Sequence, residues 1–255
     1  MNYLVIWSDF RLFYGSHPRR VTEHSHPVIQ LVVAAHGTFL SKDKSGNWIN
    51  KKGLLIAPNH IHQCDANNIH IISIDINPES SLGEWVLSKQ LKNVPIIDYP
   101  SKDIVKLDFK IFSELLNNEN WEAMRIMIEN TFQYQNTFRT SQKEGRIQNI
   151  LDFISNNIDK NITSEMLMEV AYLSESRLLH LFKEKMGLPI SNYILWTRLK
   201  IVQEQILKGH SLTHASYKAG FADQAHMTRT FKKMTGVPPS LIAKNSKFVQ
   251  VSFPH

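Results

Sequence analysis

One cysteine, Cys64, stands in a chain of 255 residues. A single thiol excludes an intrachain disulfide and fits a reducing cytoplasm. It reads as a small buried or strand residue, because a reactive thiol needs surroundings that stabilise the thiolate. Long apolar runs are missing too: none approaches the ~20 residues needed to span a bilayer. The segment Met1 to Phe10 has no basic region, apolar core or small-residue cleavage site of a signal peptide. A cytoplasmic location away from membranes is therefore expected. No Ser-His-Asp order, paired-carboxylate motif or phosphate loop is present either. What remains is a chain that is 42% apolar and 20% charged. That is enough for packed cores, and its length is enough for two domains.

Acidic charge is scarce in one half only. Residues 1–140 hold 14 Lys and Arg against 14 Asp and Glu, whereas residues 141–255 hold 15 against 9. The whole formal charge of +6 thus falls in the C-terminal half. An asymmetry of this kind points to a polyanion partner for that half and a different task for the other.

The basic half also contains a repeat. Ser174-Glu-Ser-Arg-Leu-Leu-His-Leu-Phe-Lys-Glu-Lys-Met-Gly-Leu-Pro189 recurs as Asp223-Gln-Ala-His-Met-Thr-Arg-Thr-Phe-Lys-Lys-Met-Thr-Gly-Val-Pro238. At an offset of 49, Phe182, Lys183, Gly187 and Pro189 fall on Phe231, Lys232, Gly236 and Pro238. Each copy has a capping residue in front, Gly at the end and Pro just beyond, the punctuation of a short helix. Each follows another short helical stretch and a turn, Glu165 to Tyr172 in the first case and Leu212 to Gly220 in the second. The pattern predicts two helix-turn-helix units, whose second helices enter the DNA major groove. Between them, Ser191 to Lys208 predicts a bridging helix with Ile194, Leu195, Leu199, Val202 and Ile206 on one side. At 1.5 Å per residue it spans roughly 27 Å, near the ~34 Å between successive major-groove faces.

Helical spacing sorts the residues of each copy. Leu178, Leu181, Phe182 and Met186 face the core in the first, Met227 and Phe231 in the second. The opposite line is Ser176, His180 and Lys183 in the first copy, with Arg177, Glu175 and Leu179 alongside. In the second it is Ala225, Arg229 and Lys232, flanked by Gln224, His226 and Thr228. Arg suits guanine, Gln suits adenine, and lysines hold phosphates. The second helix is therefore expected to read sequence and the first to position. These residues closely resemble the C-terminal motif of AraC/XylS-type transcriptional regulators, from Arg146 to Lys244. The order Gly-Phe-x-Asp-Gln, Arg-x-Phe-Lys, Gly-x-x-Pro carries the resemblance. Met168 and His214 depart from the usual Ala and aliphatic residue.

The N-terminal half follows other periods. Val28–Val33, Leu54–Ile56 and His70–Ile76 predict short strands, with turns at His36-Gly37, Lys44–Asn47 and Pro58-Asn59. Ser81–Leu91, Ile104–Asn117 and Trp121–Phe138 predict helices, and Asn136–Gly145 a linker. On a strand, His24, His26 and Gln30 differ by even numbers and would share a face, with His62 joining them. His24-Ser-His26-Pro-Val-Ile-Gln30 and Gly53–His62 resemble the two motifs of cupin barrels, which serve AraC-type regulators as sensors. The resemblance implies a small-molecule effector beside His24, His26, Gln30 and His62. Metal-binding cupins usually have Glu where Gln30 stands, so no cofactor is expected; a metal on His24, His26 and His62 is the lesser alternative.

The expected fold is α+β and multidomain. Residues 1–100 would form a closed or nearly closed cupin-like β-barrel, 101–140 a helical dimerisation and linker region, and 141–247 an all-α domain with two helix-turn-helix motifs. Phe109, Phe112, Leu115, Trp121, Met124 and Ile128 exceed what a linker needs; part of this surface is expected to pack on the barrel and part to make a two-fold homodimer contact. The expected partners are double-stranded DNA, a small-molecule effector, RNA polymerase and a second copy of the chain. A cupin-type metal-dependent enzyme with a basic DNA-binding appendage is the competing class.

Overall fold

Alternation of period two shapes the first unit in the computed structural model, which describes residues 2–16, 20–135, 145–241 and 246–251. Ten strands are described: β1 (Asn2–Ile6), β2 (Phe10–Gly15), β3 (Ile29–Ala34), β4 (Phe39–Lys42), β5 (Trp48–Lys51), β6 (Gly53–Ile56), β7 (Cys64–Asp65), β8 (Ile71–Ile76), β9 (Ile96–Tyr99) and β10 (Ser246–Gln250). They make a seven-stranded sheet in the order β10-β1-β2-β8-β3-β6-β9 and a three-stranded sheet β5-β4-β7. Among the described residues no pairing joins the two sheets. Of the closed or nearly closed barrel expected for residues 1–100, no closed form is found among the described residues: the strands form two layers, an arrangement that short antiparallel strands with one buried face also satisfy.

Successive side chains on a strand point to opposite faces. One face of the large sheet presents Leu12, Ile29, Leu31, Leu55, Ile72, Ile74 and Ile76 to three helices. These are α1 (Ser81–Lys89), α2 (Phe109–Asn117) and α3 (Trp121–Thr131). The other face presents Val32, Leu54 and Ile56, packed with Phe39 and Cys64 of the small sheet and with Ala66 just after β7. Cys64 is buried there, and burial pushes its thiol up to about 11. A thiol so disposed is inert.

The helices are shorter than expected: α1 stops at Lys89 rather than Leu91, α2 begins at Phe109 rather than Ile104, and α3 stops at Thr131 rather than Phe138. Ser80, Asp108 and Asn120 cap α1, α2 and α3 by accepting first-turn backbone N–H bonds. Phe112, Met124 and Ile128 are buried against the sheet, with Phe109, Leu115 and Trp121 packed beside them. Packing of these residues on the sheet is the part of the expected apolar surface that covers the N-terminal unit. The Arg125 guanidinium grips Asp9 with two bonds of 2.8 Å and Glu129 with one of 2.9 Å, pinning α3 to the β1–β2 turn. The linker expected at Asn136–Gly145 lies outside the described residues except for its last position, which begins a helix.

β1, β2 and β10 are among the strands that the pattern did not announce. β1 and β2 precede the first predicted strand and supply Val5, Phe10 and Leu12 to the core. β10 lies beyond the second helix-turn-helix and returns to the edge of β1. Val251 N–H donates to the Ile6 carbonyl at 2.9 Å, Val249 packs on the core, and Lys247 pairs with Glu119. By contacts the chain divides into Met1–Thr22, Val28–Thr140 and Lys247–His255 as one unit, and Glu23–Pro27 with Ser141–Ser246 as the other. No helix among the described residues is long and apolar enough to cross a membrane.

Candidate nucleic-acid interface

Six helices carry the second unit: α4 (Gly145–Asn156), α5 (Ser164–Ala171), α6 (Glu175–Met186), α7 (Ile190–Leu207), α8 (Leu212–Lys218) and α9 (Gln224–Thr235). The pairs α5–α6 and α8–α9 are the two helix-turn-helix units. Their second helices have equal length, 12 residues, and end on Gly187 and Gly236 with φ of 71° and 73°. That left-handed cap suits glycine. Leu178, Leu181 and Phe182 are buried with Ile147, Ile150, Ile154 and Leu167 of the first pair's surroundings. Met227, Thr230, Phe231 and Met234 are the buried face of α9.

The bridge differs from its expected one-sided stripe. Leu199, Val202 and Ile206 are buried as foreseen, but so are Trp196 and Gln203, while Ile194 packs in the first core. α7 serves both helix pairs and is covered on more than one side. Arg198 on α7 donates to the Ile158 carbonyl at 3.1 Å and the Lys160 carbonyl at 2.7 Å, and lies 6.0 Å from the Phe221 ring. The loop after α4 is thereby fastened to the second pair. Gly220 completes the joint: its φ is 74°, and a Cβ there would sit 2.5 Å from the Ile158 oxygen.

On the outer side, Ser176, Arg177, His180 and Lys183 of α6 are exposed, as are Glu175 and Leu179. On α9, Gln224, Ala225, Arg229 and Lys232 are exposed and Thr228 is half-buried. His226 is half-buried, with its ring 5.4 Å from that of Phe221. The N-termini differ. Asp223 accepts the His226 N–H at 2.6 Å, whereas Ser174 makes no side-chain cap bond. That backbone hydrogen bond is the main cause holding the Asp223 carboxyl below the usual range, with Arg229 helping. Glu184 sits beside His180 at 3.7 Å and Lys185 at 3.3 Å, so an acid interrupts the basic line of α6.

The helix-turn-helix domain family matches residues 167–245. LumQ of Photobacterium leiognathi, a probable transcriptional regulator, is 28% identical over 90 residues, 35% of this chain and 36% of LumQ. The multiple antibiotic resistance protein MarA of Escherichia coli is 28% identical over 94 residues, 36% of this chain and 74% of MarA. Residues 167–245 thus carry a helix-turn-helix domain similar to those of AraC/XylS-type regulators. This chain's match spans about a third of LumQ's length. Over nearly the whole chain the fold is similar to that of ToxT from Vibrio cholerae, with a TM-score of 0.58 at 15% identity, covering 94% of this chain and 100% of ToxT. A second ToxT structure, bound to (E)-4-(8-methylnaphthalen-1-yl)but-3-enoic acid, has the same score and identity over 91% of this chain and 97% of that one.

The helix-turn-helix unit includes a piece of the expected sensor site. His24 and His26 do not lie on a strand with Gln30, because β3 starts at Ile29. They stand on Glu23–Pro27, which groups with the DNA-binding unit. Their rings are 5.6 Å apart, and that of His26 is 6.1 Å from Trp196. Pro27, next to His26, disfavours regular pairing by removing a donor. Gln30 stands in the large sheet, where its amide nitrogen donates to Ser73 Oγ and Asp75 Oδ1, both at 3.1 Å. Asp75 also accepts from Arg11 at 2.8 Å. These partners share register positions across β2, β8 and β3. Gln30 offers a neutral amide where metal-binding cupins have a carboxylate, a poorer ligand for a divalent cation. His62 follows β6 and donates from Nδ1 to the His60 carbonyl at 2.9 Å. The sequence offered no sign of Arg198, of the Gly220 contact or of Thr213, whose partners are 38 to 62 residues away for the first two and 11 for the third.

Proposed function

We propose that the chain is a sequence-specific transcriptional regulator whose C-terminal half binds a promoter site and whose N-terminal half senses a small molecule. One observation carries the first part. Two helix-turn-helix units expose matched outer lines, Ser176, His180 and Lys183 beside Arg177, and Ala225, Arg229 and Lys232 beside Gln224, His226 and Thr228. They belong to the half that holds the whole +6. Gel-shift titration of the full chain on duplex DNA tests it. Affinity should fall linearly with salt on logarithmic axes, because released counterions drive the phosphate contacts. A chain that binds no duplex at low salt would end the proposal.

The effector reading rests on the cupin-like motifs and on ToxT, whose similar fold has been solved with a bound organic acid. His24, His26, Gln30 and His62 are its proposed contacts, and His24, His26 and His62 the set that a metal would use. A thermal-shift screen of small molecules checks this: a compound that stabilises the wild type should do so less in Gln30→Ala and His62→Ala. RNA polymerase enters the proposal through the family alone. A homodimer would use the outer side of α2 and α3, where Ile111 and Ile126 are 47% and 52% exposed. Sedimentation equilibrium at ~100 μM, where an interface of about −5.5 kcal/mol is half occupied, decides between dimer and monomer.

A further inference from the structure

Thr213 is the second residue of α8 and Gln224 the first of α9, and both are exposed. The Thr213 hydroxyl donates to Gln224 Oε1 at 2.7 Å, a side-chain bond between the two helices of the second unit. It turns the amide oxygen back towards α8 and leaves the two N–H donors of Nε2 for whatever lies in front of the helix. We propose that Thr213 is a positioning residue that makes Gln224 a donor-only reader of DNA. The proposal deepens the DNA-binding reading and rests on it.

The consequence is a change of base. A glutamine reads adenine by accepting from N6–H with its oxygen while donating to N7 with its nitrogen. With one lone pair taken by Thr213 and the oxygen turned towards α8, the two donors are what the amide presents to the groove. They fit the edges that present acceptors alone: guanine, with O6 and N7, or thymine, with O4. Adenine puts a donor against a donor. Holding the amide in one orientation also removes rotamer freedom before binding, so less is lost on contact. The first unit has no such device. At the offset of 49 its two positions are Ser164 and Glu175. Thr213 and Gln224 thus mark a specialisation of the second recognition helix, separate from the contacts of Arg229.

Selection of sites from a randomised duplex pool, using the full chain, tests this. Gln224→Ala identifies the base pair concerned, as the position whose preference disappears. There the wild type should enrich guanine or thymine. Thr213→Val keeps the shape and deletes the hydroxyl; adenine at that position should then rise about tenfold relative to wild type, on the scale of one bidentate contact. Thr213→Ser retains the donor and should restore the wild-type profile. Neither Thr213 variant should alter the salt dependence, since no phosphate contact is touched. Adenine already preferred by the wild type would overturn the proposal, as would an identical profile in Thr213→Val. So would a Gln224→Ala variant that weakens all sequences alike, which would make Gln224 a phosphate contact. A wild type that enriches no sequence and binds no duplex would instead bring down the DNA-binding reading itself, a separate result.

Discussion

The two helix-turn-helix units share a plan but not an equipment. Both second helices run 12 residues, bury a Phe at the same position and close on a left-handed glycine. Their front ends diverge. α9 starts from a carboxylate cap and carries Gln224 and Arg229, while α6 starts from an unused serine and carries Glu175, Leu179 and the Glu184 side chain beside His180. Duplication preserved what folding needs, the buried face and the caps at the C-terminal ends. It left the exposed face free to change, because outward residues contribute little to stability. The physics of the copies therefore separates scaffold from readout.

The sharpest way to break the comparison is at the turns. Gly220→Val should cost about 2 kcal/mol or more, since it adds left-handed strain to a Cβ 2.5 Å from the Ile158 carbonyl oxygen. Gly187 also has a positive φ, but nothing lies within 4 Å of its Cβ. Gly187→Ala should therefore cost only the backbone term, about 1 kcal/mol. Urea unfolding of the two variants measures the difference; equal losses would mean that the contact with the α4 loop is unimportant.

Readout should differ next. Arg229→Ala should weaken the specific site by ~1–3 kcal/mol and relax preference at one base pair. His180→Ala, at the position of Arg229 in the other copy, should cost less and shift no preference. Lys183→Ala and Lys232→Ala should lower specific and non-specific binding together. Competition binding at fixed salt separates these outcomes, and an Arg229→Ala variant that loses both kinds equally would make that arginine a phosphate contact.

The caps give the smallest effect. Asp223→Ala should lower the melting temperature at pH 7, and Ser174→Ala should leave it nearly unchanged. The Asp223 carboxyl is held below its ordinary value in the fold, chiefly by the His226 N–H. Its contribution is thus full above the ordinary carboxylate range and disappears as pH falls through the lowered value. Melting curves of wild type and Asp223→Ala should converge as pH falls below the ordinary carboxylate range; a gap that persists there would assign the stabilisation to something other than the charge.

Much of the second unit could be read directly. Phe182 and Phe231, the glycines after Met186 and Thr235, and the outward Arg229 all announce themselves by local spacing. α7 was harder: its apolar residues on one side were legible, but Trp196 and Gln203 are buried because two helix pairs share the helix. The sheet unit was read in part. Val28–Val33 and His70–Ile76 gave β3 and β8, whereas β1, β2 and β10 were missed. The 23–30 segment shows the limit most clearly. Its even spacing suggested one strand, yet His24 and His26 stand on a loop and only Gln30 on β3. Even spacing fixes a shared face only where backbone pairing exists, and pairing is decided by a distant partner.

By itself the sequence determined the repeat, its caps, its buried faces and the side on which DNA-reading residues stand. Helices make their hydrogen bonds within four residues, so local order suffices to write them. Tertiary structure alone decided that the strands form two sheets, that β10 returns to the edge of β1, and that Gln30 joins Arg11, Ser73 and Asp75. It alone fastened Arg198 to the carbonyls of Ile158 and Lys160 and turned the amide of Gln224 towards Thr213. Each of those bonds joins residues that no local period relates, and only the folded chain brings them within 3.2 Å.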